Sequence, residues 1–400
     1  MTRTVLAGGQ VFDGTGSEPA RGDVAVEDGR IVAVGTGLDG DDQVDITGRT
    51  VFPGFFDCHT HVMLSHVDLW RHLQQPFSLQ FYEAARNLER TLRIGITSVR
   101  DAGGADLGVK EAVAAGSIKG PRLQISIIML TQTGGHGDDW YASGVQAPLF
   151  VEHPGRPSGL VDGVDAVRHK VRELHRMGAD VIKVATSGGV LSPRDDPRHA
   201  HFRPAELEAL VEEATAAGMF VMAHAQGADG IKNAVRAGIR SIEHGIFLDD
   251  EAIELMLRHG TWFVPTLVAP QGVLDAVDAG VSLPPAVVDK ARFVLEIHRA
   301  AFRKAVEAGV RIAMGTDSGV TPHGRNLREL ELMVAGGMTP AAAFEATTRS
   351  AARLLGVDNT LGTIADGKVA DLVVVRGDPL DVSDLGSRVE GVWQAGTRVV

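Results

Sequence analysis

His59 and His61 stand two residues apart in the run FFDCHTHV. Side chains of an extended strand alternate between faces, so both imidazoles share one face and can reach a single metal ion without distorting the backbone. Cys58 falls on the other face, as a small apolar residue packed outward. Lys183 lies inside the apolar run DVIKVAT, in a chain with eight lysines. A lysine in a buried strand is costly unless it is neutral, paired or modified. His224 ends FVMAH and His244 ends SIEH, each followed within three residues by glycine, and Asp317 closes RIAMGTD. Imidazole and carboxylate both suit zinc. Taken singly, each has a plainer role: a lysine reaching a carboxylate, core histidines with satisfied ring nitrogens, an aspartate capping a turn.

What must position these groups is a recurrent pattern of helix, glycine and strand. Amphipathic stretches such as VDAVRHKVRELHRMGA end in glycine and run into short apolar segments, with Gly95, Gly178, Gly218, Gly238, Gly260 and Gly309 in that place. Glycine just past a helix tolerates the left-handed turn that closes it. Eight apolar runs read as strands: VFPGFFDCHTHV, ITSVRDAG, RLQISII, DVIKVAT, FVMAHAQ, SIEHG, WFVPTLV and RIAMGTDSG. Their number and spacing predict an α/β fold, a (β/α)8 TIM barrel. The competing doubly wound sheet lacks a GxGxxG turn after its first strand. In a barrel the polar groups at the ends of strands one, four, five, six and eight converge on one mouth, where catalytic groups belong.

The chain ends differ. TVLAGGQVFDG and GDVAVEDGRIVAVG near the start, and LGTIADGKVADLVVVRGDP near the finish, are short strands broken by Asp-Gly and Gly turns. Neither end supplies enough strands alone. Together, residues 1–53 and 358–400 are expected to build one small β-sandwich domain beside the barrel of residues 54–357. A segment from Thr131 to Asp162, with GGHGDDWYASG and three prolines, has little periodicity. Its place after strand three makes it a lid or substrate wall.

The order HxH, lysine, His, His, Asp on successive strands resembles the amidohydrolase superfamily. A lysine on strand four resembles its binuclear subtype, in which that lysine is carboxylated and bridges two divalent ions, commonly zinc. The resemblance implies that His59, His61 and Asp317 bind one ion, that His224 and His244 bind the other, and that Lys183 joins both. The chemistry is coherent, because a desolvated lysine has a depressed pKa and its neutral amine can capture carbon dioxide as a carbamate. Two ions can share a hydroxide as nucleophile, with Asp317 taking its proton and returning it to the leaving nitrogen.

Several runs are similar to the dipeptidase, prolidase and carboxypeptidase-like branch: TQTGGHGD, KVATSGGVLSPRDDP, AHAQG and SIEHGIFLDD. That likeness implies hydrolysis of a linear amide in a dipeptide or N-acyl amino acid, and related enzymes hydrolyse the amide of ochratoxin. The alternative is a cyclic-amide hydrolase resembling dihydroorotase, hydantoinase or imidazolonepropionase. A mononuclear deaminase fits less well, because Gln226 stands where that branch carries a proton-shuttling glutamate. His136, flanked by glycines, is placed to donate a hydrogen bond to a developing oxyanion. Arg194, Arg198 and Arg203 include a candidate fork for a substrate carboxylate. Arg100 and Asp101, ending strand two, are expected to pair with each other.

Composition sets the frame. In 400 residues, 44% are hydrophobic and 22% charged, enough for a sizeable core, and the single cysteine excludes an internal disulfide framework. A net charge of −12 works against nucleic-acid binding. No apolar run reaches the roughly 18 residues of a membrane span, and the N-terminus lacks signal architecture. These features predict a cytoplasmic protein with a small-molecule substrate, and the resemblance implies a homo-oligomer.

Overall fold

The computed structural model describes residues 2–192 and 194–400. The N-terminal part contributes β1 (Thr4–Val11), β2 (Ala20–Glu27), β3 (Arg30–Gly35), β4 (Asp42–Asp45) and β5 (Arg49–Pro53). Between β2 and β3, Asp28 and Gly29 have φ of 49° and 76°, the left-handed pair that a tight hairpin turn demands.

Parallel strands alternate with helices through the middle of the chain. β6 (Phe55–Thr60), β7 (Ile96–Asp101) and β8 (Arg122–Ile125) pair in that order. β9 (Met129–Leu130), β10 (Val181–Ala185), β11 (Phe220–Ala225), β12 (Ser241–His244) and β13 (Trp262–Val264) form a second parallel sheet, again in sequence order. The C-terminal part returns to the first sheet with β14 (Leu372–Arg376), β15 (Val389–Gln394) and β16 (Thr397–Arg398). β14 runs antiparallel to β5 with Val374 opposite Val51, so both ends of the chain share one eight-stranded sheet.

The connecting helices are amphipathic, as their spacing predicts. Helix Val164–Arg176 buries Val167, Val171 and Leu174, one stripe at helical period. All six glycines singled out after helices have positive φ, from 67° at Gly260 to 89° at Gly178 and Gly238. Phe12, Phe52, Phe55 and Phe344 stack into an aromatic knot, with Phe52 and Phe344 centroids 4.8 Å apart. This knot ties the mixed sheet to the parallel strands. No helix among the described residues is long and apolar enough to cross a membrane.

Three of the expected strands take a different form. VFPGFFDCHTHV is divided at Gly54, whose N–H donates to Asp371 O at 2.7 Å. A Cβ there would overlap the Thr97 side chain, so the chain steps from the mixed sheet into the parallel one at a glycine. RLQISII breaks between β8 and β9, where Ile127 has φ of 69°. RIAMGTDSG is not a continuous strand. It bonds piecemeal to both neighbours: Ala313 N–H donates to Phe263 O at 3.0 Å and Cys58 N–H to Met314 O at 2.9 Å. Asp317, with φ of 62°, interrupts the extended backbone.

Candidate metal centre

His59, at the end of β6, is buried and shares its two ring nitrogens between different partners. Nδ1 lies 2.7 Å from Glu243 Oε2. A carboxylate can only accept, so Nδ1 carries the proton and Nε2 keeps its lone pair. That lone pair faces Asp317 Oδ1 at 3.4 Å and Lys183 Nζ at 3.3 Å. His61 repeats the pattern, donating Nδ1–H to Gly103 O at 2.8 Å and turning Nε2 to the same Asp317 oxygen at 3.2 Å. The two residues of the HxH pair therefore meet on one carboxylate, as their shared face predicts.

His244 completes β12 and sets Nδ1 against Thr266 Oγ1 at 2.8 Å. His224, within β11, donates Nε2–H to Gly188 O at 3.1 Å. The His244 ring lies 4.9 Å from that of His59 and 4.6 Å from that of His224. One ligand atom from each of His59, His244 and Asp317 falls within 4.8 Å of the others, a group able to hold a metal ion. Each of the four histidines thus has one nitrogen engaged by the protein and the other available. That is the arrangement in which surrounding groups orient metal-binding imidazoles.

The electrostatics suit cation binding. Burial is the main reason that His224 and His244 have pKa values well below the usual imidazole range, so both are neutral, as ligands must be. Burial opposes ionisation of Asp317, but the imidazoles of His59 and His61 set against Oδ1 hold its carboxyl well below the usual range. Burial pushes the Lys183 amine down to about 8. Among the described residues its hydrogen-bond neighbour is His59 Nε2, not a carboxylate. His244 and Asp317 also have left-handed φ values of 70° and 62°, local strain of the kind that collects at functional sites.

His136 comes to the same cluster from the loop after β9. Its ring stacks on His224 with centroids 4.2 Å apart, and Nδ1 faces Ser192 Oγ at 2.9 Å and Asp195 Oδ2 at 3.1 Å. Gly189 makes room, because a Cβ there would overlap the His136 ring. Lys290 ties down the supporting loop by donating to Gly189 O, Ser192 O and Asp195 O at 2.7–2.8 Å. Phe150, in the long segment expected to be a lid, lies 5.5 Å from the His61 ring.

Other expectations need correction or narrowing. Arg100 does not pair with Asp101. Its Nη2 reaches Glu243 Oε1 at 2.9 Å and its Nε reaches Cys58 O at 2.7 Å. Asp101 instead accepts N–H groups from Val62, Gly103 and Ala105, because the turn after β7 folds back over its carboxylate. Arg198 is held at the surface by Asp196 at 2.6 Å, and Arg194 lies over the Trp140 ring at 5.2 Å. Cys58 packs outward among Phe56, Val264 and Leu354, as alternation predicts. Glu243 and Thr266 escape the sequence reading. For Glu243 the available signal was a carboxylate inside the short buried strand SIEH; for Thr266 there was none.

Residues 50–399 match the family described as Amidohydrolase family. An ochratoxinase of Aspergillus niger is 34% identical over 418 residues, spanning 98% of this chain and 86% of its own length. Among solved structures, a Xaa-Pro dipeptidase with bound methionine in the active site superposes with a TM-score of 0.90 at 33% identity, covering 99% of both chains. A prolidase complexed with N-methylphosphonate-L-proline gives 0.89 at 37% identity, covering 100% of this chain and 99% of its own.

Proposed function

This chain belongs to the amidohydrolase family and is an amide-bond hydrolase of the dipeptidase-like branch, and from that premise we propose that it cleaves the linear amide of a dipeptide or N-acyl amino acid at a binuclear metal centre. The observation that carries the proposal is the meeting of Asp317 Oδ1 and Lys183 Nζ on the free Nε2 of His59. The names of the ochratoxinase, the Xaa-Pro dipeptidase and the prolidase support the linear substrate.

In this reading His59, His61 and Asp317 would hold one divalent ion and His224 and His244 the other, and Lys183, as a carbamate, would be a ligand to both. Zinc suits this donor set of imidazole and carboxylate oxygen. The carbamate forms when the neutral amine attacks carbon dioxide: an N–C bond is made, one proton is released, and a buried cation becomes an anionic ligand. When bound, two ions acidify water and polarise the scissile carbonyl. Asp317 accepts a proton from the attacking water and returns it to the departing nitrogen as the C–N bond breaks. With both ring nitrogens carrying protons, His136 donates Nδ1–H to Asp195 and Nε2–H to the oxygen on which charge develops.

The same reading treats the parallel strands as one closed (β/α)8 barrel of residues 54–357, with residues 1–53 and 358–400 as the small β domain. Bridges from Phe263 to Ile312 and from Thr60 to Ser318 support closure, since they place the segment after Gly309 between β13 and β6.

The test is a side-by-side assay of zinc-loaded protein on Xaa-Pro dipeptides, N-acyl amino acids and hydantoins. Turnover of linear amides is expected; turnover confined to the rings would defeat the substrate assignment. Growth in 13C-bicarbonate should place a carbamate carbon signal in the protein that is absent from Lys183→Ala.

A further inference from the structure

The parallel strands have a second functional-looking end. The histidines stand at or just beyond the C-terminal ends of β6, β11 and β12. A cavity of about 910 Å³ opens at the opposite end, lined by Phe220 and Trp262, the first residues of β11 and β13. Arg240, Arg311 and Arg353 also line it. We propose that this cavity binds a small molecule carrying two or more negative charges, a phosphate or dicarboxylate, at a site separate from the hydrolytic centre.

Guanidinium groups and aromatic faces are arranged there as a prebuilt receptor. Arg240 lies over the Phe220 ring at 3.7 Å and Arg311 over Trp262 at 5.9 Å. Stacking of this kind fixes the plane of a guanidinium and leaves its edge for a bidentate acceptor. Arg240 is further fixed by donating to Leu354 O at 2.8 Å and Arg353 O at 2.7 Å. Of the two carboxylates lining the cavity, Glu345 is engaged by Arg349 Nε at 3.0 Å, and Asp358 alone stands against three arginines. Burial, and then the like charges of Arg100 and Arg311, lower the Arg240 pKa, partly opposed by Asp358. An arriving anion relieves that repulsion. The concentration of positive charge is the more telling in a chain of net charge −12, and the volume is that of an ordinary small-molecule site.

Calorimetric titration of the metal-loaded enzyme with inorganic phosphate, and separately with succinate, tests the proposal. One or both anions should saturate a single site with Kd below about 1 mM. Phosphate alone would identify a phosphate ligand, and succinate alone a dicarboxylate. Arg353→Glu and Arg311→Glu should each weaken binding about tenfold or more while leaving amide hydrolysis unchanged. Lys183→Ala, which disables the histidine cluster, should bind the anion as well as the parent does. Absence of saturation with both anions, undiminished binding in the two arginine variants, or loss of binding only in Lys183→Ala would overturn it.

Discussion

Glu243 grips His59 Nδ1 at 2.7 Å with one carboxylate oxygen and Arg100 at 2.9 Å with the other, and all three side chains are sealed from solvent. Burial alone would protonate Glu243, but Arg100 and His59 hold its pKa low. The resulting anion fixes the tautomer and orientation of His59 without touching a substrate. Glu243→Gln should therefore weaken metal binding roughly 10–100-fold. Competition against a chelator, read by metal content, checks this. A loss of thermal stability with unchanged metal affinity would reduce Glu243 to a packing role.

Lys183 gives a prediction with opposite signs in two states. With metal supplied, Lys183→Met should lose bridging and nearly all hydrolysis. Without metal, the same change should stabilise the fold by about 1–3 kcal/mol, because it removes a desolvated amine that has no carboxylate partner among the described residues. Urea unfolding of both metal-free proteins measures the second effect. Short-chain carboxylic acids should restore part of the activity to Lys183→Ala by supplying the missing oxygens; full activity of that variant without them would remove the bridging role.

His136 touches the centre through stacking on His224 and is steered by Asp195 and Ser192. His136→Ala should lower kcat by about 10²–10³ with little change in KM, the signature of a donor used in the transition state. Gly189→Ala should do much the same, since a Cβ there drives the ring from its place. A loss confined to KM would mean that His136 binds substrate rather than its developing charge.

Much of this was legible in the chain because the informative residues break local rules. A lysine in DVIKVAT and histidines at the ends of apolar runs are costly where they stand, and cost points to purpose. The helix-closing glycines were equally readable, since each occupies a backbone conformation that other residues resist. The pairing of Arg100 with Glu243 was not readable. The two are far apart in sequence, and only the order of strands around the parallel sheets brings them together. Nor did RIAMGTDSG reveal that Asp317 would leave the extended conformation, because the bend is set by backbone bonds to a distant strand, with Thr316 and Asp317 N–H donating to His59 O and Ser318 O accepting from His61 N–H, rather than by its own composition.

Glu329 offers a pH signature away from the histidines. Its carboxyl receives N–H groups from Leu267 at 2.7 Å and Val268 at 2.9 Å. Burial outweighs these donors and pushes the pKa up to about 8, from an ordinary value of 4.5. Between those two values the folded chain keeps a proton that the unfolded chain has released. Fewer protons on the unfolded state mean that stability falls as pH rises, so this contribution is full below the ordinary value and is lost as pH climbs to about 8. Glu329→Gln removes the titration while keeping an oxygen for one of the two N–H groups. The difference in unfolding free energy between parent and variant, measured by urea denaturation across that window, should move steadily against the parent as pH increases. A difference that stays flat would show that Glu329 is already ionised in the folded protein, with the two N–H bonds overriding burial.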